Sequence, residues 1–209
     1  MFSWKNFERT PIVGIIRNIS PTVFEKILPL YIQAGFTTVE VTMNTDGAEK
    51  MIEKCKIVHG DAINIGAGTV CNTEDLQKAL DAGAEFIVTP IVEKGVIEKC
   101  VSLGIPVFPG AFTPTEIFNA WSLGASMVKV FPASQLGPDF IKSIKAPFPQ
   151  IKLMPTGGVS AEDLKPYKNA GADAFGIGSP LFPAHLIKTE NDMALLEHFK
   201  SFFEKWTQC

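Results

Sequence analysis

Two side chains in this 209-residue chain stand out against their surroundings, and both are of kinds that move protons or bond to carbon. Lys129 lies in the apolar run MVKVFPAS, Met127 to Ser134, where the pattern would put another hydrophobe, and Glu40 interrupts TTVEVTM. An ammonium inside an apolar strand is costly unless it is paired or loses its proton, and a lysine driven toward the neutral form is a nucleophile. Successive strand side chains point to opposite faces. Val39, Val41 and Met43 therefore share one face and leave Glu40 and Thr42 on the other. Likewise Val128 and Val130 pack outward, and Lys129 points inward with Met127 and Phe131, so that Glu40 and Lys129 face each other across an interior. Two plainer readings compete: an edge lysine whose head snorkels to water, and a glutamate that merely makes a buried lysine tolerable. A carboxylate beside an amine in a closed cavity is also what imine chemistry requires, because each step of imine formation moves a proton.

A second cluster concerns anions. PTGGV and GIGSP end the last two strand-like runs, so Gly157, Gly158, Gly178 and Ser179 present bare backbone N–H groups next to expected helix starts, a cradle suited to phosphate. Further polar or rigid groups close other runs: Arg17, Thr69, Thr89 with Pro90, and Thr156. His59, His185 and His198 have no partner at useful spacing. Asp46, Glu74, Asp75, Glu93 and Glu116 read as carboxylates favouring the positive ends of helices.

The elements that must position these groups repeat. Apolar runs PIVGIIR, TTVEVTM, AINIGAGT, EFIVTP, IPVFPGA, SMVKVFP, IKLMPTGG and DAFGIGS each precede a segment with helical spacing, which makes eight strands. Glycines that would end the preceding helix stand at Gly35, Gly60, Gly83, Gly104, Gly124 and Gly171. The long interval before Gly171 spans two units, and the prolines of Ala146 to Gln150 supply the missing break. Eight strand-helix units predict a (β/α)8 TIM barrel as a single α/β domain, residues 1–209. Active sites in such barrels gather at the C-terminal ends of the strands, with phosphate held by the last two, which brings the polar groups to one mouth. A doubly wound open sheet would call for a Gly-rich loop after the first strand, and PIVGIIRNIS has none. Ser20 with Pro21, Asn72 or Thr73, Thr113 with Pro114, and Ser160 are expected helix caps. A short N-terminal helix carrying Phe2, Trp4 and Phe7 would cover one end, and Glu190 to Trp206 reads as a terminal amphipathic helix.

Bulk properties exclude several classes. The net charge of −3 comes without a basic cluster, so no nucleic-acid or membrane footprint is present and an anionic substrate must be held by local groups. Cys55, Cys71, Cys100 and Cys209 are scattered without metal or disulfide spacing, and no run approaches a membrane span or a signal peptide. A soluble, cytoplasmic protein is expected.

In order and spacing, VEVTMNT, IGAGTV, VTP, PGAFTPTE, VKVFPAS, MPTGGV and GIGS resemble the 2-keto-3-deoxy-6-phosphogluconate (KDPG) and 4-hydroxy-2-oxoglutarate (KHG) aldolase family, from about Pro11 to Ser179. The resemblance implies a metal-free class I aldolase and homotrimer. Its partners would be small molecules, a phosphorylated keto-deoxy sugar acid and pyruvate, and its only cofactor-like group an imine on the enzyme. It implies Lys129 as the Schiff-base lysine, Glu40 as general acid/base, Thr69 as a carboxylate holder, Pro90, Phe131 and Thr156 as pocket residues, and Gly157, Gly158, Gly178 and Ser179 as the phosphate pocket. Where many KDPG-specific members carry an arginine after the VTL segment, this chain has Asn44. The 6-phosphogalactonate branch is more similar there and places an arginine where this chain has Arg17, while PTGGV keeps the threonine of the KDPG type. A phosphosugar isomerase or synthase, or a phosphate-ligand sensor with a structural lysine, are the rival readings.

Overall fold

The computed structural model describes residues 1–189 and 191–209. Strands β1 (Ile12–Ile16), β2 (Thr38–Thr42), β3 (Asn64–Gly68), β4 (Ile87–Val88), β5 (Val107–Phe108), β6 (Gly110–Ala111), β7 (Val128–Val130), β8 (Leu153–Pro155) and β9 (Phe175–Ile177) all pair in parallel. Helices fill the intervals, as the repeating pattern predicts. The strands form two curled sheets, one ordered β5-β4-β3-β2-β1-β9 and the other β6-β7-β8.

The expected fifth strand is divided. Pro109 has no N–H to give a ladder, so the run breaks there: β5 pairs with β4, while β6 pairs with β7 in the other sheet. The Pro109 carbonyl is still used, accepting the Lys129 N–H at 2.9 Å. At the opposite margin a bridge joins Thr156 to Gly176, and the Asp173 N–H donates to the Leu153 carbonyl.

Burial follows the alternation. Val39, Val41, Val128 and Val130 belong to the large cluster beneath the helices, whereas Val13, Phe86, Val88, Phe108, Met127 and Met154 form a separate inner cluster with Phe2 and Phe7. The N-terminal helix, Trp4–Arg9, and the residues before it close this inner cluster, with the Phe2 ring 5.3 Å from Phe86 and the Phe7 ring 6.0 Å from Phe108. Beside it Glu85 accepts from Lys56 Nζ and the Met1 ammonium, each at 2.6 Å, and from the Ile65 N–H.

The glycine punctuation has its expected cause: Gly35 and Gly124, with φ of 104° and 96°, take left-handed conformations just past helix ends. Asn72 caps the helix Thr73–Asp81, and Thr113 with Glu116 makes a capping box. Pro21 opens its helix, Pro21–Gln33; the Ser20 carbonyl accepts the Phe24 N–H at 2.9 Å, but its hydroxyl makes no cap bond among the described residues. Ser160 is not a cap: its own N–H and hydroxyl donate to Asp163, whose carboxylate ties a turn, and the helix begins only at Leu164. The terminal helix spans Asp192–Thr207; its expected first residue, Glu190, lies outside the described residues. Leu195, Phe199 and Phe202 bury its apolar face, with Phe199 5.6 Å from the Tyr31 ring. Among the described residues no helix is long and apolar enough to cross a membrane.

Candidate active site

Lys129 sits at the centre of β7, 3% exposed. Its Nζ lies 4.9 Å from the centroid of the Phe131 ring and makes no hydrogen bond or ion pair among the described residues. Glu40, in the middle of β2, is 1% exposed, and its Oε2 has no hydrogen-bond partner among the described residues. The two groups therefore feel each other through space without contact. Burial pushes the Lys129 amine below its ordinary range, the negative Glu40 pulls it back up, and the positive Arg17 pushes it further down. Burial raises the Glu40 carboxyl, and Lys129 and then Arg17 counter that rise. An amine tending to neutrality and a carboxyl tending to hold its proton are poised for exchange rather than locked in a salt bridge.

A cavity of about 650 Å³ opens over Lys129. Of the residues singled out from the sequence, it is lined by Arg17, Lys129, Phe131, Thr156, Gly157, Gly158, Gly178 and Ser179. Glu40, Thr69 and Pro90 are not on that wall. Thr69 is tied to it, because its hydroxyl accepts from Arg17 Nη2 at 3.3 Å. Pro90 is the one candidate that the structure sets apart: its carbonyl faces the α-carbon of Gly110.

The walls are locked from behind. The Ala133 and Ser134 N–H groups donate to the Thr156 and Gly157 carbonyls, joining the loop after β7 to the loop after β8. Tyr167 donates to the Ala133 carbonyl at 2.9 Å. The Arg17 loop is held by Thr45, whose hydroxyl accepts the Asn18 N–H at 3.1 Å and bonds to Thr42 at 2.8 Å; Asn44 itself is exposed. Gly158, Gly178 and Ser179 have N–H groups without an acceptor among the described residues, and Gly157 follows the Thr156–Gly176 bridge beside them. The expected helix starts are not beside them. The helices begin at Leu164 and Ala184, and the cradle is made by loop backbone, with Gly178 heading a turn in which the Leu181 and Phe182 N–H groups donate to its carbonyl at 2.9 Å.

Sequence reading missed the glycines that make room. A Cβ on Gly68 would collide with Glu40 Oε1, and one on Gly176 with Thr156 Oγ1. Both face a functional candidate from the adjoining strand, which the parallel register with β2 makes visible for Gly68. Among the described residues no group of three or more His, Cys, Asp or Glu is gathered as a metal site. Cys55 and Cys100 are buried free thiols, pushed by burial to about 12.

The family model for KDPG and KHG aldolase matches residues 5–198. The 2-dehydro-3-deoxy-6-phosphogalactonate aldolase of Escherichia coli K12 is 37% identical over 84% of this chain and 86% of that one. A solved structure described as native KDPGal superposes with a TM-score of 0.89 at 33% identity, covering 96% of each chain. The KDPG aldolase of Legionella pneumophila, solved with pyruvate captured at low pH as a covalent carbinolamine intermediate, superposes with a TM-score of 0.84 at 27% identity over 94% of this chain and 96% of that one.

Proposed function

The chain belongs to the KDPG and KHG aldolase family, and from that premise we propose that it is a class I aldolase, a carbon-carbon lyase, with Lys129 as its nucleophile and Glu40 as its general acid/base. The substrate is a 2-keto-3-deoxy-6-phospho sugar acid, of gluconate or galactonate configuration, cleaved to pyruvate and D-glyceraldehyde 3-phosphate. Unphosphorylated 4-hydroxy-2-oxoglutarate, giving pyruvate and glyoxylate, is a second substrate. The observation that carries the reading is the Lys129 amine, which lines the cavity together with the glycine loops and, like the Glu40 carboxyl buried behind it, has no hydrogen-bond partner among the described residues.

Neutral Lys129 attacks the C2 ketone; the new C–N bond forms as the carbonyl electron pair moves to oxygen, and a proton passes from the new ammonium nitrogen to that oxygen to give a carbinolamine. Protonation of that hydroxyl by the Glu40 carboxylic acid releases water and leaves an iminium. The Glu40 carboxylate then takes the C4 hydroxyl proton, the C4–O pair becomes the aldehyde, and the C3–C4 bond breaks with its electrons flowing into the iminium. The Glu40 acid, carrying the former C4 hydroxyl proton, protonates the resulting enamine at C3, and water adds to the iminium, releasing pyruvate and returning a proton to Glu40 as the neutral amine is restored. Arg17 with Thr69 holds the substrate carboxylate, Phe131 and Thr156 shape the pocket, and Gly157, Gly158, Gly178 and Ser179 hold the phosphate, so remote binding energy is used for orientation. Pro90, off the cavity wall with its carbonyl against Gly110, shapes the pocket only through the strand behind it. The similarity to the E. coli phosphogalactonate enzyme, together with Arg17 and the exposed Asn44, favours the galactonate configuration. The isomerase or synthase alternative is not favoured, since it gives the Lys129 and Glu40 pair no task.

The same reading takes residues 1–209 as one domain and its two sheets as a single closed (β/α)8 barrel, supported by the Pro109 division at one seam and the Thr156 to Gly176 bridge at the other. It takes the protein as a cytoplasmic homotrimer. Free cysteines suit a reducing compartment, and exposed Ile91, Phe112 and Phe118 supply an apolar surface for self-association. The test is a side-by-side assay of pyruvate release from the gluconate, galactonate and hydroxyoxoglutarate substrates. Release from all three, fastest from the galactonate compound, is expected; pyruvate from none of them overturns the proposal.

A further inference from the structure

Among the described residues the charged side chains on the cavity wall are all of one sign: Arg17, Lys129 and Lys188 line it, and no aspartate or glutamate does. Arg17 belongs to the floor: it bonds to Thr69 and acts electrostatically on both Lys129 and Glu40. Lys188 stands on a different element. It ends the short helix Ala184–Lys188, which follows the Gly178–Phe182 turn and lines the cavity with Ala184, Ile187 and Lys188. It is exposed and makes no hydrogen bond or ion pair among the described residues.

The substrate assigned above is anionic at both ends. At the phosphate end the cradle offers backbone dipoles and one serine hydroxyl, none carrying a formal charge, against a phosphomonoester of charge about −1.5 to −2. A cation at the rim offsets that charge and draws the dianion in, and its influence falls with ionic strength.

Resting on that reading, we propose that Lys188 is the phosphate-end cation of the cavity, a specificity-determining residue that makes the site prefer phosphorylated over unphosphorylated keto acids. It is a point charge on a mobile stem rather than a fixed ligand, so it acts on capture and binding of the phosphate, not on the bond that breaks.

The experiment compares kcat/KM for the 6-phospho sugar acid with kcat/KM for 4-hydroxy-2-oxoglutarate. Lys188→Ala should lower the ratio about fivefold through KM of the phosphorylated substrate, Lys188→Glu should lower it severalfold more, and Lys188→Arg should restore it. Raising salt should shrink the wild-type ratio and leave that of Lys188→Ala nearly flat. A ratio within twofold of wild type for both Lys188→Ala and Lys188→Glu, or an equal loss on both substrates, overturns the proposal. Titration with inorganic phosphate followed by 31P NMR separates its failure from that of the aldolase reading. A wild-type protein that forms no pyruvate adduct sinks the latter, while weaker phosphate binding by Lys188→Ala supports Lys188 and equal binding refutes it.

Discussion

Glu85 and Glu40 are both buried carboxylates set into the same sheet, one at the entry of β4 and one within β2. Glu85 receives Lys56, the Met1 ammonium and the Ile65 N–H. Among the described residues Glu40 has no donor to Oε2, and its lysine is near without a hydrogen bond or ion pair to it. Burial by itself would raise Glu85, but the hydrogen bonds from Lys56 and the terminal ammonium outweigh it and hold the carboxyl below its usual range. At Glu40 burial prevails and the carboxyl rises. Saturating a buried charge with donors makes a structural clamp, whereas leaving it short of donors costs stability and keeps a proton exchangeable. The aromatic, fully bonded end of the strands stabilises the fold; the polar, under-bonded end is where chemistry is affordable.

Exchanging the roles of the two ends should fail in graded ways. The largest effect is expected at Lys129: Lys129→Met should abolish turnover, by about 10⁴-fold or more, while raising neutral-pH stability by about 1–3 kcal/mol, because an unpaired buried amine is replaced by an apolar side chain of similar length. The folded amine titrates below the unfolded one, so wild-type stability rises with pH between the two values. The gap between wild type and Lys129→Met in urea denaturation should therefore narrow as pH climbs toward the ordinary lysine range.

Glu40→Gln comes next, with kcat lower by about 10²–10⁴-fold and imine formation slowed but detectable. Since Glu40 is what pulls the Lys129 amine upward, its neutralisation should move the acid limb of pyruvate trapping to lower pH. An unmoved limb would break the electrostatic link between the two residues.

Gly68→Ala tests whether Glu40 must be held in one place. The added Cβ meets Oε1, and a loss of about ten- to a hundredfold in kcat is expected with the fold retained. Wild-type turnover would show that the carboxylate has room to spare.

Glu85→Gln should act only on stability, costing about 2–4 kcal/mol at neutral pH with kcat per folded molecule close to wild type. Its folded value is depressed, so the stabilisation is present above the ordinary carboxylate range and is lost as pH falls through the folded value. Wild-type and variant midpoints should converge in acid. A catalytic defect as deep as that of Glu40→Gln would erase the contrast between the two ends.

Much of the active end was legible in the sequence because alternation is local. Two residues on either side suffice to turn Glu40 and Lys129 inward, and the glycine punctuation counts the strands. The division at Pro109 was not counted, although its cause, a missing N–H, is local; which sheet each half joins depends on neighbours. Glu85 was overlooked because its partners lie 29 and 84 residues away. Gly68 and Gly176 were missed because a glycine's reason here is the side chain on the next strand. Thr45 and Lys188 were passed over for the same cause: a turn and a helix-length segment reveal nothing about which cavity they border until the loops are closed. The helix starts expected beside Gly158 and Ser179 are displaced because Asp163 ties Ser160, and the Gly178 carbonyl ties Leu181 and Phe182, into turns first.

The central claim is that Lys129 bonds covalently to the substrate ketone, and borohydride reduction in the presence of pyruvate reads it directly. Intact-mass measurement should show one reduced pyruvyl group per chain, loss of activity in step with labelling, and a peptide map placing the adduct on Lys129, with no label in Lys129→Ala. An adduct of equal yield in Lys129→Ala, or a label mapping to Lys56 or any other lysine, would contradict it.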